Sequence, residues 1–280
     1  MDTVETIAAV RSRVARARAR GLTVGFVPTM GYLHEGHLTL IRRARASCGL
    51  VVVSIFVNPT QFGPGEDYES YPRDLERDAA LAEEAGADVL FYPCVREMYP
   101  DGYATYVTVE GMTQKLCGRS RPTHFRGVTT VVAKLFHIVD PDRAFFGEKD
   151  HQQLLVIRRM AADLNMKVEV VGVPTVREPD GLAMSSRNVY LDERERAAAV
   201  VLSRSLAAAR EAYAAGERSA AALTGLVRGM IEAEPLAELD YVEIYGLPDL
   251  ADVERLDGPA LLALAVRFGK TRLIDNTVLG

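Results

Sequence analysis

The stretch Leu50-Val51-Val52-Val53-Ser54-Ile55-Phe56-Val57 is the longest strongly apolar run in the chain. It is rich in β-branched residues and shows almost no polar alternation. That is the signature of a strand in a parallel sheet covered on both faces. Upstream, Thr23–Thr29 reads as a second strand. Between the two, His37–Cys48 reads as a helix, with Leu38, Ile41 and Arg45 at helical spacing. Downstream the rhythm continues: helix over Leu75–Ala85, strand over Ala87–Tyr92, helix over Gly127–Ile138, a short strand over Arg143–Phe146, helix over about His151–Leu164, and strand over Val168–Val176. Val4–Arg20 reads as a first helix with Ile7, Val10 and Val14 on one face. Asp2 and Glu5 near its start suit a helix N-terminus. This alternation predicts an α/β domain over residues 1–177, a doubly wound, Rossmann-like parallel sheet.

The pattern changes after Arg177. Asp192–Ala215 reads as one long alanine-rich helix, with Asp192 as cap and Glu195 as its capping-box partner. A break at Gly216 precedes a second helix to about Glu234. Tyr241–Tyr245, Ala260–Phe268 and Thr271–Asp275 read as strands, the last two joined by the tight turn Gly269-Lys270. Residues 178–280 are therefore expected to form a smaller α+β domain. No internal repeat is visible.

Composition narrows the function classes. The 280 residues are 48% hydrophobic and 25% charged, ordinary values for a globular protein with a sizeable core. The formal net charge of -5 gives no global electrostatic reason to expect a nucleic-acid partner. No run approaches the length of a membrane span. The arginines at 11, 13, 16, 18 and 20 give the N-terminus a passing likeness to a transit peptide, but it has no hydrophobic signal core. Cys48, Cys94 and Cys117 are far apart, odd in number and without a CxxC pair. A reducing, cytoplasmic compartment is expected.

Four polar segments sit where strands are predicted to end, and ligands in open parallel sheets bind outside those carboxyl ends. They are Pro28 to His37, Asn58 to Phe62, Gly147 to His151 and Met184 to Asn188. In the first, Gly31 and Gly36 permit tight turns, and a helix beginning near Gly36 would aim free N–H groups at an anion. His34 and His37, three apart, share one side of the first turn. Imidazole donates to phosphate oxygens and can carry charge near neutral pH. The segment is neither HExxH nor a P-loop, and no third ligand for zinc is obvious. Lys149 and Arg187 are natural cationic partners for phosphate, and Ser185 and Ser186 could donate to the same oxygens. Asp150 suits a ribose or metal contact and equally a helix cap.

His34-Glu35-Gly36-His37 resembles the His-x-Gly-His signature of the nucleotidyltransferase superfamily. Met184-Ser185-Ser186-Arg187 stands where that superfamily often has its second, Lys-Met-Ser-Lys-Ser-like loop. Together with Val27–His37, Phe56–Phe62 and Phe146–Asp150, these strings resemble the pantothenate synthetase (pantoate–β-alanine ligase) family over essentially the whole chain. The resemblance implies ATP-dependent ligation of pantoate and β-alanine through a pantoyl adenylate, with release of AMP and pyrophosphate. By residue, it implies an ATP site of Met30, Gly31, Tyr32, Leu33, His34, Glu35, Gly36, His37, Gly147, Glu148, Lys149, Asp150, Val176, Met184, Ser185, Ser186 and Arg187. His34, His37, Lys149, Ser185, Ser186 and Arg187 are expected to be catalytic. Gln61 and Gln153 are expected to hold pantoate, and Gln61 also to meet β-alanine. Arg121 is expected to help close the site, and Asp78 to lie near Mg²⁺. The resemblance also implies a homodimer, with Leu50–Asn58 or a neighbouring apolar surface at its interface, and small-molecule substrates alone. The second domain is expected to act as a lid.

Overall fold

The computed structural model describes residues 1–280. Its first layer holds β1 (Asp2–Val4), α1 (Ile7–Ala19), β2 (Val24–Thr29), α2 (Glu35–Ser47), β3 (Leu50–Ile55), α3 (Leu75–Glu84), β4 (Val89–Phe91), α4 (Val95–Met98), α5 (Cys117–Ser120), α6 (His124–Val139), β5 (Arg143–Gly147), α7 (His151–Asp163) and β6 (Glu169–Val173). Its six strands lie in the order β1-β4-β3-β2-β5-β6, and every pairing is parallel. The chain winds outward from β2 in one direction through β3 and β4, and in the other through β5 and β6. The expected doubly wound sheet is present, with its switch point between β2 and β5. A crevice opens there at the carboxyl ends of the strands.

The apolar run Leu50–Val57 explains why β3 is central. Val51, Val53 and Ile55 enter a core with Leu38, Ile41 and Ala44 of α2 and Ala82 of α3. Val52 faces the opposite core, with Val10 and Val14 of α1, Val128 and Val132 of α6 and Leu154 of α7. Each strand residue alternates faces, and both faces are dry. Val51, Val52 and Val53 are fully buried, with β2 and β4 on either side, so these three offer no surface to a partner.

The second layer holds α8 (Glu193–Ala198), α9 (Val201–Ala214), α10 (Ala220–Glu232), β7 (Ala237–Gly246), β8 (Ala251–Asp252), β9 (Ala260–Phe268) and β10 (Thr271–Leu279). Its antiparallel sheet runs β10-β9-β7-β8. The β9–β10 hairpin turns at Gly269-Lys270, as expected, with Phe268 paired to Thr271. Leu262, Leu264 and Val266 of β9 pack on α9 and α10. Leu261, Ala263 and Ala265 on the other face join the core of the first sheet. The two units thus share one continuous apolar contact.

Two local expectations need correction. Asp2–Val4 is a strand paired with β4, and α1 starts at Ile7, capped by Thr6, whose hydroxyl accepts from the Ala9 amide, with no acid in its first turn. The long helix over Asp192–Ala215 is two helices, interrupted at Ala199-Val200. Its capping box is as read: Asp192 accepts from the Glu195 amide and Glu195 from that of Asp192.

Candidate active site

The chain leaves β2 through Met30 into a tight turn. Gly31 adopts φ +88, and a Cβ there would stand 2.9 Å from Ile55 Cγ2. Only glycine fits. The turn is then held from below by Asp78 of α3. Its carboxylate accepts the amides of Tyr32 at 2.6 Å and Leu33 at 2.7 Å. The neighbouring Arg77 donates to the Leu33 carbonyl at 2.8 Å.

The histidines close the start of α2. His34 is the N-cap, and its Nδ1 accepts the Gly36 amide at 3.1 Å. His37 Nδ1 in turn faces the His34 amide at 3.3 Å. This is a capping box built from two imidazoles. Gly36 is needed because the His34 ring folds over its amide: a Cβ would lie 2.8 Å from His34 Cε1. Their ring centroids are 4.1 Å apart. An Nδ1 that accepts an N–H carries no proton, so each neutral ring keeps its proton on Nε2. Burial, reinforced by the nearby Lys149 charge, pushes His34 down to about 4. Burial, then His34 and Lys149, pushes His37 well below its ordinary value. Both rings are neutral at pH 7. The cationic reading of these histidines gives way to neutral Nε2–H donors.

Around the crevice the other three segments converge on a cavity of about 290 Å³. Met30, His34, Gly36, His37, Gln61, Arg121, Gly147, Lys149, Asp150, Gln153, Val176, Met184, Ser185, Ser186 and Arg187 all line it. Gly31, Tyr32, Leu33, Glu35, Glu148 and Asp78 do not. Leu33 is wholly buried in the core beside α2, and Glu35 turns outward to pair with Arg42. The carbonyls of Glu148 and Lys149 accept from Asn276 Nδ2 at 3.0 and 2.8 Å, so β10 fixes the third segment. Lys149 Nζ stands 3.7 Å from Asp150. The fourth segment is tied to the first: Ser186 Oγ donates to the Tyr32 carbonyl at 3.2 Å. Ser185 caps the turn that follows by accepting the Arg187 amide.

Two glutamines that are adjacent in sequence divide sharply. Gln152 is consumed by the main chain, donating to the Met112 and Lys115 carbonyls and accepting from the Cys117 amide. Gln153 lines the cavity. Both arginines are engaged by adjacent acids of the loop after Gln61. Arg121 pairs with Glu66 and donates to the Gln61 carbonyl, while Arg187 makes a bidentate pair with Asp67 at 2.8 Å for each bond. Against the upward push of burial, Arg121 holds Glu66 down at about 2. Sequence reading gave no role to Glu66, Asp67 or Asn276, whose partners are distant in the chain. Asn58 lies within one of the four polar segments and also carried no role there.

Asp78 does not fit a magnesium site. Both its oxygens are occupied by the turn's own amides and its side chain is 1% exposed. No three His, Cys, Asp or Glu side chains converge elsewhere in a metal-holding group.

A model of the family described as pantoate-beta-alanine ligase matches residues 2–278. The chain belongs to the pantoate–β-alanine ligase family. Like other members, it is an enzyme that joins pantoate and β-alanine into pantothenate with ATP. A pantothenate synthetase of Pelotomaculum thermopropionicum is 67% identical over 275 residues, 98% of each chain. The crystal structure of pantothenate synthetase from Thermus thermophilus aligns with a TM-score of 0.94 at 54% identity, over 99% of each chain. A ligase of this family from Francisella tularensis, solved in complex with beta-gamma ATP and beta-alanine, aligns at 0.81 and 33% identity over 99% of this chain and 97% of that one. The family fold is thus the one described above, a parallel sheet with a smaller α+β unit.

Proposed function

We propose that this ligase works through a pantoyl adenylate formed in the crevice between β2 and β5, with the residues lining that crevice in the following roles. The pantoate carboxylate attacks the α-phosphorus of ATP, the bond to the bridging oxygen breaks, and pyrophosphate leaves. The β-alanine amine then attacks the activated acyl carbon, and AMP leaves with the electron pair. The observation that carries this reading is the imidazole capping box. It presents two neutral Nε2–H donors to a cavity that also holds Lys149.

In this scheme His34 and His37 donate to phosphate oxygens, and Lys149, Ser185, Ser186 and Arg187 offset charge that grows on the departing pyrophosphate. Because the rings are neutral, His37 acts by hydrogen bonding, with no net charge to contribute. Gln61 and Gln153 orient pantoate by directional bonds without adding charge. Gln61 also meets β-alanine, and Arg121 closes that end. Gly147, Val176 and Met184 frame the nucleotide. Mg²⁺ enters as part of the substrate, on the ATP phosphates, which is its usual mode in such sites. The C-terminal unit serves as a lid by bringing the Ser185–Arg187 loop onto the nucleotide. The enzyme works as a cytoplasmic homodimer; no helix is long and apolar enough to cross a membrane.

The deciding assay supplies ATP, Mg²⁺ and pantoate, first without β-alanine and then with it. Pyrophosphate release that depends on pantoate, followed by AMP and pantothenate once β-alanine is added, is the expected result. Formation of ADP, or pyrophosphate release indifferent to pantoate, would remove the adenylate from the scheme.

A further inference from the structure

Behind Gln61 lies a small hydrogen-bond relay that the reaction scheme does not use. Asn58 is 1% exposed, and both ends of its amide are committed. Its Nδ2 donates to Gln61 Oε1 and to the Gly127 carbonyl, each at 3.1 Å. Its Oδ1 accepts from the Tyr99 hydroxyl at 2.9 Å, the Thr60 hydroxyl at 2.9 Å and the Thr60 amide at 3.3 Å. A backbone carbonyl can only accept and a backbone amide can only donate. The Asn58 amide therefore has one admissible orientation.

That orientation is passed on. Gln61 meets Asn58 through Oε1, so its amino group is the opposite end, and one of its two N–H groups donates to Met30 Sδ at 3.2 Å. Gln61 lines the cavity as a donor with one N–H left for a ligand, rather than as a side chain free to turn either way. Tyr99 is well suited to start the relay. Burial pushes its phenol up to about 12, so it keeps its proton at any working pH. Its ring is fixed by an edge contact with Tyr103, at 4.9 Å between centroids, and by Lys134 above it.

We infer that Tyr99 is a positioning residue for the acid that is activated: backbone groups fix which way the Asn58 amide faces, and the Tyr99 hydroxyl on Asn58 Oδ1 holds that amide in place, so that Gln61 keeps its remaining N–H where it can meet pantoate. The inference rests on the proposal that Gln61 holds pantoate. The consequence is a specificity rule. The substrate must bring acceptor oxygens, from a carboxylate or hydroxyl, to this point. An analogue that brings an N–H there faces another donor, leaves both unpaired and is rejected.

The test is a set of steady-state measurements on Tyr99→Phe, Gln61→Ala and the double variant. Phenylalanine keeps the ring and its packing and removes only the hydroxyl. Tyr99→Phe is expected to raise the pantoate KM about fivefold, the scale of one hydrogen bond, and to leave the ATP KM within about twofold. Gln61→Ala is expected to raise the pantoate KM by about tenfold or more, and Tyr99→Phe should add nothing in that background. Thr60→Val, which removes the second hydroxyl on the same oxygen, should give the same selective pattern and serves if Tyr99→Phe does not fold. An unchanged pantoate KM in Tyr99→Phe, equal changes for ATP and pantoate, or full additivity with Gln61→Ala would each overturn the relay. An unchanged pantoate KM in Gln61→Ala would instead show that Gln61 does not hold pantoate.

Discussion

The two sides of the crevice are built on opposite principles. On the β2 side, the turn carrying His34 and His37 is held by bonds to its own main chain and to the buried carboxylate of Asp78. Both rings line the cavity with their Nδ1 atoms already bonded. On the far side, Arg121 and Arg187 are held by Glu66 and Asp67, which lie on one loop and are about a quarter exposed. Their charges are already compensated. The neutral donors are thus pre-set, whereas the cation at Arg187 reaches the cavity already paired with a counter-ion. Preorganised dipoles cost no reorganisation when charge develops, whereas an exchangeable ion pair can follow the substrate in and out.

The largest effect expected from breaking the pre-set side is on chemistry. His37→Ala should slow adenylate formation by about 10² or more, the scale of one lost donor to a developing charge. Amide formation from supplied pantoyl adenylate should be far less affected. Single-turnover measurement of each step separates the two, and equal losses would take His37 off the phosphates. Asp78→Ala should come next. It leaves the buried Leu33 amide and the Tyr32 amide without an acceptor, at a cost of about 2–3 kcal/mol in urea unfolding. Wild-type stability in that variant would mean the turn is held by other contacts.

Acid should act on both sides. Burial lowers His34 and His124 to about 4 and also lowers His37 and His151. A histidine kept neutral in the folded state contributes stability that is fully present above its unfolded value near 6.5. That contribution is lost as pH falls from there through the folded value. Each such group costs about 1.4 kcal/mol per pH unit inside that window. The melting temperature should therefore fall steadily from about pH 6.5 toward 4. Below the ordinary glutamate value, Glu66, held at about 2, adds a further loss as it too is protonated. A melting temperature that is flat over that upper window would mean the histidines titrate freely.

The difference between the two sides also explains what could be read from the chain alone. Periodicity exposed β3, β9 and the longer helices because burial imposes it on many neighbouring residues at once; the single turns α4 and α5 are too short to show it. It missed β1, whose three residues run into the apolar face of α1. It missed the break at Ala199-Val200, where alanines fit either conformation. The site's segments were legible as polar interruptions at strand ends, whereas Gln153, which also lines the cavity, lies outside them on α7 and came only with the family resemblance. How they are held was less legible. The usual capping-box letters are Ser or Thr with Glu or Gln, and here two histidines take both parts. Glu66 and Asp67 have no pattern at all, since Asp67 finds its partner 120 residues away. Charge in a loop gives no hint of which side chain will meet it.

The smallest effect should come from the exchangeable side. Asp67→Asn keeps the size of the side chain and one acceptor oxygen but removes the charge that neutralises Arg187. If Asp67 holds the guanidinium in reserve, ATP no longer competes with a carboxylate for it, and the enzyme should bind ATP a few-fold more tightly, on the scale of a partly exposed ion pair. If Asp67 instead orients Arg187 for the phosphate, the remaining N–H groups pointing at the ligand lose their support and ATP binding weakens. Calorimetric titration of ATP into the two proteins gives opposite signs for these cases. Low salt enlarges the difference, because the pair is screened at higher ionic strength. A weaker Kd in Asp67→Asn would therefore place Arg187 with His34 and His37, as a group set in advance, and leave Lys149 as the cation that follows the substrate.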